Sequence, residues 1–129
     1  MDVGTLVARS MQKYRDRIAV ESSEGSLTYG EIGSRIFQLA RGLKSLGLDY
    51  TINQIGSMFT LFFTDKAVNN FSDAKTSDTA LFGKYFKGML DKGIYLPPSQ
   101  YESWFLSAAL GDSEYDQIIT TSKATLRSL

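Results

Sequence analysis

Side chains able to take part in chemistry are few in this sequence. Its 129 residues include no Cys and no His. That excludes disulfides, thiolate nucleophiles, Cys/His zinc sites, the Ser-His-Asp triad and any imidazole base. Carboxylates, hydroxyls and amines remain. Glu102 ends the run Pro97-Pro98-Ser99-Gln100-Tyr101-Glu102, and a lone carboxylate acts as a general base only in a cleft that perturbs its pKa. The plainer reading is that the two prolines shape a turn and leave Glu102 in water. Asp112, Glu114 and Asp116 form an acidic cluster of the oxygen-donor kind that magnesium accepts. Its plainer reading is a helix start, where carboxylates face the positive end of the dipole. Gly83-Lys84-Tyr85-Phe86-Lys87-Gly88 carries glycine and lysine but falls mid-helix by its periodicity. Backbone N–H groups there bond within the helix and cannot cradle a phosphate. Neither G-x-x-x-x-G-K-[ST] nor G-x-G-x-x-G occurs. Lys84, Lys87 and Lys92 read as a solvated helix face.

The elements that would position these groups follow from apolar spacing. Val3, Leu6, Val7 and Met11 fall at helical intervals and predict a helix over Val3–Tyr14. Arg17–Glu21 is a strand candidate, Ser22–Ser26 a turn, and Leu27 the start of a return strand. Thr28-Tyr29-Gly30-Glu31 has the form of a capping box and opens a helix burying Ile32, Ile36, Leu39, Leu43 and Leu46, with Gly47 as its left-handed stop. Thr51–Thr64 is rich in β-branched and aromatic residues, and Gly56-Ser57 breaks it into a hairpin. Leu81, Phe82, Tyr85, Phe86, Met89 and Leu90 make a helical stripe, capped by Ser77 or Thr76 and ended by Gly93. Ile94–Leu96 and Trp104–Ser107 are short strand candidates, and Asp112 or Ser113 caps a last helix. The expectation is an α+β fold, a small mainly antiparallel sheet with helices packed on one face. Met58–Phe63 reads as core strand; Tyr95, Tyr101, Trp104 and Phe105 read as core aromatics or an uncovered interface.

Totals narrow the partners. Fourteen basic and 14 acidic residues give no net charge, so no global field holds the chain to nucleic acid or an anionic membrane. Low net charge also protects weakly against self-association, and a partner copy meeting the apolar faces is the expected partner. Apolar residues at 43% and charged residues at 22% are the mix of a foldable cytoplasmic protein. No stretch approaches the roughly 20 apolar residues of a membrane span. The N-terminal MDVGTLVARSMQK lacks the apolar run and cleavage site of a secretion signal. Asn70-Phe71-Ser72 matches a glycosylation sequon, read as accidental.

Two stretches resemble known families. Residues 3–48, through DRIAV, LTYGEI and LARGLKSLGL, resemble the opening of adenylate-forming enzymes, the acyl-CoA synthetase and AMP-dependent ligase superfamily. Residues 50–129, through GSMFTLFFT, AKTSD and GIYLPPSQYE, resemble the C-terminal small domain of glutamate-1-semialdehyde 2,1-aminomutase, a pyridoxal-phosphate (PLP) enzyme family. Together the resemblances imply a chimera or designed fragment. Residues 1–48 would be a ligase-like segment and 49–129 an aminomutase-like domain, sharing one core. They imply that the ATP loop of the first family, and the Schiff-base lysine and phosphate cup of the second, lie outside the chain. No catalytic residue, metal or cofactor is then expected: PLP and ATP would belong only to the intact parental enzymes. Ser99, Gln100 and Glu102 would be a remnant of the aminomutase substrate pocket. The alternative readings are an aminomutase C-terminal portion that needs a missing large domain, and a self-associating interaction module.

Overall fold

A computed structural model describes residues 13–129 apart from Glu24, Gly56 and Ala108. The helix expected over Val3–Tyr14 lies almost wholly outside the described residues. So do the side chains of Ile36, Leu39 and Leu43.

The chain opens with a hairpin, β1 (Ile18–Ser22) and β2 (Gly25–Thr28), whose antiparallel register slips between Ile18 and Val20. Helix α1 (Tyr29–Ser45) follows directly. Its start is a reciprocal cap: the Glu31 backbone N–H donates to Thr28 Oγ1 (3.2 Å), and Glu31 Oε2 accepts from the Thr28 backbone N–H and hydroxyl (both 2.8 Å). Gly47, at φ 69°, turns the chain out of the helix in the left-handed region. Ile32 on the inner face of α1 is fully buried.

Strands β3 (Thr51–Ile55) and β4 (Met58–Phe62) pair in register from Thr51–Phe62 to Ile55–Met58. The two-residue β5 (Trp104–Phe105) adds to the far side of β4 at Met58 and Phe59. A second, three-stranded sheet thus has the order β3-β4-β5. Between β4 and β5 run the single-turn α2 (Phe71–Ala74) and α3 (Thr79–Leu90); α4 (Asp112–Arg127) closes the chain.

Strand side chains alternate between faces, and β4 uses both. Phe59, Leu61 and the following Phe63 enter the main core with Phe82, Tyr85, Met89, Trp104, Tyr115 and Leu126. Leu27 and Ile32 belong to that same cluster. Phe62 turns the other way, onto Val68 and Ala74. The fold is α+β with antiparallel sheets, as its sequence pattern requires.

Several local expectations differ from the structure. Ile94–Leu96 forms no strand. The Ile94 N–H is taken by the Met89 carbonyl (3.0 Å), which completes the turn that Gly93 makes at φ 81°. The Trp104–Ser107 strand is cut to two residues. The cap of α3 is Asp78, whose carboxylate accepts from the Leu81 N–H (2.8 Å); Thr76 instead donates to the Asp73 carbonyl and closes α2. Gly111, not Asp112 or Ser113, occupies the cap position of α4.

Candidate functional site

The run Pro97–Glu102 folds as a turn against the edge of β4. The Glu102 N–H donates to the Ser99 carbonyl (3.1 Å), and Glu102 Oε2 accepts from the Ser99 N–H (3.2 Å). Ser99 Oγ accepts from the Tyr101 N–H (3.2 Å). Ser99 and Glu102 therefore close their own turn, and Glu102 is exposed. Gln100 points inward and is buried; its Nε2 donates to the Leu61 carbonyl, and its Oε1 has no partner. Thr60 Oγ1 donates to the Glu102 carbonyl (3.3 Å), a second tie from β4. The structure brings the three expected residues together, but divides them into two that face outward and one anchor.

A cavity of about 170 Å³ opens between α1, α4 and the sheet, walled by Phe59, Tyr95, Leu96, Trp104 and Ile119. Arg35 is the cation in this apolar lining. Its Nη2 holds Asp112 Oδ1 at 2.6 Å, and its guanidinium lies 3.7 Å from the centroid of the Tyr115 ring. Its Nη1 is buried without a partner, as is Nε1 of Trp104. Burial pushes the Tyr115 phenol up, against the opposing pull of Arg35; Tyr115 Oη donates to the Ser107 carbonyl (2.9 Å). Deeper in, burial pushes Tyr85 up to about 12, opposed by its hydrogen bond with Ser122. Arg35 was not singled out in the sequence. The signal was its spacing: three residues after Ile32, it stands on the same helix face as a core residue.

The acidic cluster has other employment. Asp112 is spent on Arg35. Glu114, exposed at the start of α4, has its carboxyl held down by hydrogen bonds from its own backbone N–H and from the Ser113 hydroxyl. Among the described residues no three acids converge as a metal-holding group. Gly83–Gly88 lies inside α3. Lys87 pairs with Asp91 at 2.8 Å, and Lys92 Nζ donates to Thr125 Oγ1 at 2.8 Å. No helix of the described residues is long and apolar enough to cross a membrane.

No family model matches the chain. Its curated relatives include the glutamate-1-semialdehyde 2,1-aminomutase of Aquifex aeolicus, 38% identical over 98% of this chain and 31% of that protein. The protein of the same name from Hydrogenobaculum is 56% identical over 57% of this chain and 17% of that protein. That from Thermus thermophilus is 40% identical over 83% and 26%. The chain thus spans less than a third of the length of these relatives. Among solved structures, a β-phenylalanine aminotransferase from Variovorax paradoxus shares the fold at a TM-score of 0.65 and 21% identity, over 75% of this chain and 22% of that one. An ω-transaminase from Sphaerobacter thermophilus does so at 0.59 and 16%, over 74% and 22%. A transaminase with PLP bound does so at 0.58 and 18%, over 75% and 21%.

Two expectations are corrected by these comparisons. The Aquifex match runs across residues 48–50 and takes in 98% of the chain, so nothing supports a ligase-like segment or a junction between families. The expectation that no cofactor belongs to the protein is overturned: its relatives are aminomutases and its fold neighbours transaminases, one with PLP bound. The described residues do not by themselves fit that cofactor. The cavity walls carry no lysine to form an imine. The N-termini of α3 and α4, where a phosphate would bind, carry the carboxylates of Asp78, Asp112 and Glu114 instead.

Proposed function

We propose that this chain is the C-terminal part of a PLP-dependent aminomutase of the glutamate-1-semialdehyde type, an isomerase that shifts an amino group within one small substrate. The observation that carries the reading is the 38% identity to an aminomutase over 98% of the chain. Since the described residues offer no seat for the cofactor, its binding falls to the remainder of the enzyme. This chain adds a rim: Ser99 and Glu102 present a hydroxyl and a carboxylate to the substrate's amino group, and Gln100 fixes their turn to β4. Tyr95 and Phe105, exposed at 71% and 73%, form part of the face that meets the remainder.

The test is reconstitution. The chain is mixed with a separately produced N-terminal portion of an aminomutase relative, and PLP-dependent isomerisation is followed. Turnover should appear in the mixture and fall at least about tenfold with Glu102→Gln. A complex that forms, binds PLP and stays inactive would refute the reading.

A self-pairing module is the second reading, favoured by the same exposed Tyr95 and Phe105. Sedimentation over a concentration series separates the two: a dimer that persists when the complementary portion is added supports self-pairing.

A further inference from the structure

One face of the three-stranded sheet is covered by its own chain only in part, and we infer that the uncovered end is a docking surface for the remainder of the enzyme. The inference rests on the aminomutase reading and adds to it the surface that joins the two portions. Side chains paired across neighbouring strands share a face. Phe59 and Trp104 are such a pair, and both enter the main core. The opposite face therefore carries three rungs: Thr51 with Phe62, Asn53 with Thr60, and Ile55 with Met58 and Phe105.

The first two rungs are covered from within. Phe62 packs on Val68 and Ala74. Thr51 Oγ1 donates to the Lys66 carbonyl (2.8 Å), and Asn53 Nδ2 to the Val68 carbonyl (2.7 Å). Thr60 Oγ1 donates to the Glu102 carbonyl. The cover ends there. Ile55 and Phe105 are 65% and 73% exposed, with Met58 half-buried between them. A row of large apolar side chains gains free energy when a partner removes it from water. The row is also preformed: the Leu106 N–H donates to the Ser57 carbonyl (2.9 Å) and ties the hairpin tip to the end of β5. Little ordering then remains to oppose docking.

Size and position name the occupant. Three such side chains expose on the order of 300 Å², against the roughly 800 Å² per partner of a stable complex between free molecules. The row alone does not hold two copies together; it suits a partner whose contacts continue beyond it. Thr60, which holds Glu102, stands on the neighbouring rung, so the body that covers the row lies beside the Glu102 turn. In the aminomutase reading that body carries the cofactor centre, because the described residues offer it no seat and the chain spans 31% of its Aquifex relative. At the other side Phe105 shares a cavity mouth with Tyr95, which extends the same contact.

The test is a footprint. The chain has no Cys, so one introduced thiol reports one position. Ile55→Cys, Phe105→Cys and, on the exposed face of α3, Lys84→Cys are labelled with a maleimide, first alone and then with the N-terminal portion of the aminomutase relative. Labelling of this chain is read by mass spectrometry. The Ile55→Cys and Phe105→Cys thiols should react at least about tenfold more slowly in the mixture, and the Lys84→Cys thiol at an unchanged rate. Either row position decides the matter if the other variant fails to fold. Unchanged rates at the row overturn the inference. Protection that grows with the concentration of this chain alone also overturns it, because a second copy is then the occupant. Labelling does not depend on turnover: a protected row in an inactive complex upholds the docking surface and refutes the aminomutase reading, and an open row in an active complex does the reverse.

Discussion

Tyr85 Oη and Ser122 Oγ lie 2.8 Å apart in the core, the one hydroxyl on α3 and the other on α4. Both residues are almost completely shielded from solvent. Removing either partner leaves the other buried and unpaired, which costs about 1–3 kcal/mol, whereas removing both is close to neutral. Tyr85→Phe and Ser122→Ala should therefore each lower the denaturant midpoint, and the double variant should lose less than the sum of the two. Additive losses in the cycle would show that the hydroxyls do not interact.

The same pair sets an alkaline limit. Burial raises the Tyr85 phenol to about 12 in the folded chain, against about 10 when unfolded. Its contribution is complete below pH of about 10, because both states then hold the proton. Between about 10 and about 12 the unfolded state ionises first, so stability falls as pH rises. Denaturation midpoints measured through this range should decline less steeply in Tyr85→Phe.

Helix α3 meets α4 at a glycine. A Cβ on Gly88 would stand 2.5 Å from Cγ2 of Thr125, a stiff β-branched side chain that is 1% exposed. Gly88→Ala should destabilise by about 1–3 kcal/mol through overpacking, despite alanine's helix preference. Gly83, in the same helix, has nothing within 4 Å of the equivalent position. Gly83→Ala should stabilise by up to about 1 kcal/mol. Thermal melts of the two variants must move in opposite directions.

The cap at the start of α1 is a third target. Thr28→Ala removes the hydroxyl that Glu31 both donates to and accepts from, at a cost of about 1 kcal/mol. The Thr28 backbone N–H and then its hydroxyl hold the Glu31 carboxyl below its ordinary range. A depressed carboxyl stabilises the fold above its unfolded pKa, and that support is lost as pH falls through the folded value. The variant should show a shallower loss of stability on acidification, read by circular dichroism.

In the Pro97–Glu102 turn, anchor and rim should separate. Gln100→Ala strips the bond to the Leu61 carbonyl and should cost about 1–3 kcal/mol. Glu102→Gln, at an exposed position, should change stability by no more than about 0.5 kcal/mol while lowering activity in the reconstituted enzyme. If Glu102→Gln destabilises as much as Gln100→Ala, its carboxylate is part of the scaffold rather than the rim.

Local backbone chemistry was the legible part of this sequence. The Thr28–Glu31 box, the Gly47 and Gly93 stops and the hairpin bend after Ile55 follow from rules that involve neighbours only. What failed to show was decided at a distance. Asp112 looks like a cap, but Arg35, 77 positions earlier, takes its carboxylate. Ile94–Leu96 looks like a strand, but no β partner reaches it, and its first N–H belongs to the helix before it. Asn70-Phe71-Ser72 looks like a stray sequon; in the fold Asn70 Oδ1 accepts from the Asp73 N–H and caps α2. Pro97–Glu102 was visible as a turn, but only the fold separates buried Gln100 from exposed Glu102. The Arg35 cavity had no local signature, since its walls come from α1, the sheet, α4 and the segment after α3.

Strand β5 covers only Met58 and Phe59 of its neighbour, and beyond it the seam is finished by an amide and a hydroxyl. Gln100 caps the Leu61 carbonyl, and Thr60 reaches across to the carbonyl of Glu102. Two side chains thus stand where further backbone pairing would otherwise run, and they block addition of a foreign strand. That plug should slow edge-to-edge growth along this seam: with Thr60→Val and Gln100→Leu combined, thioflavin fluorescence should rise on prolonged incubation, and an unchanged signal would mean the seam is guarded by something else.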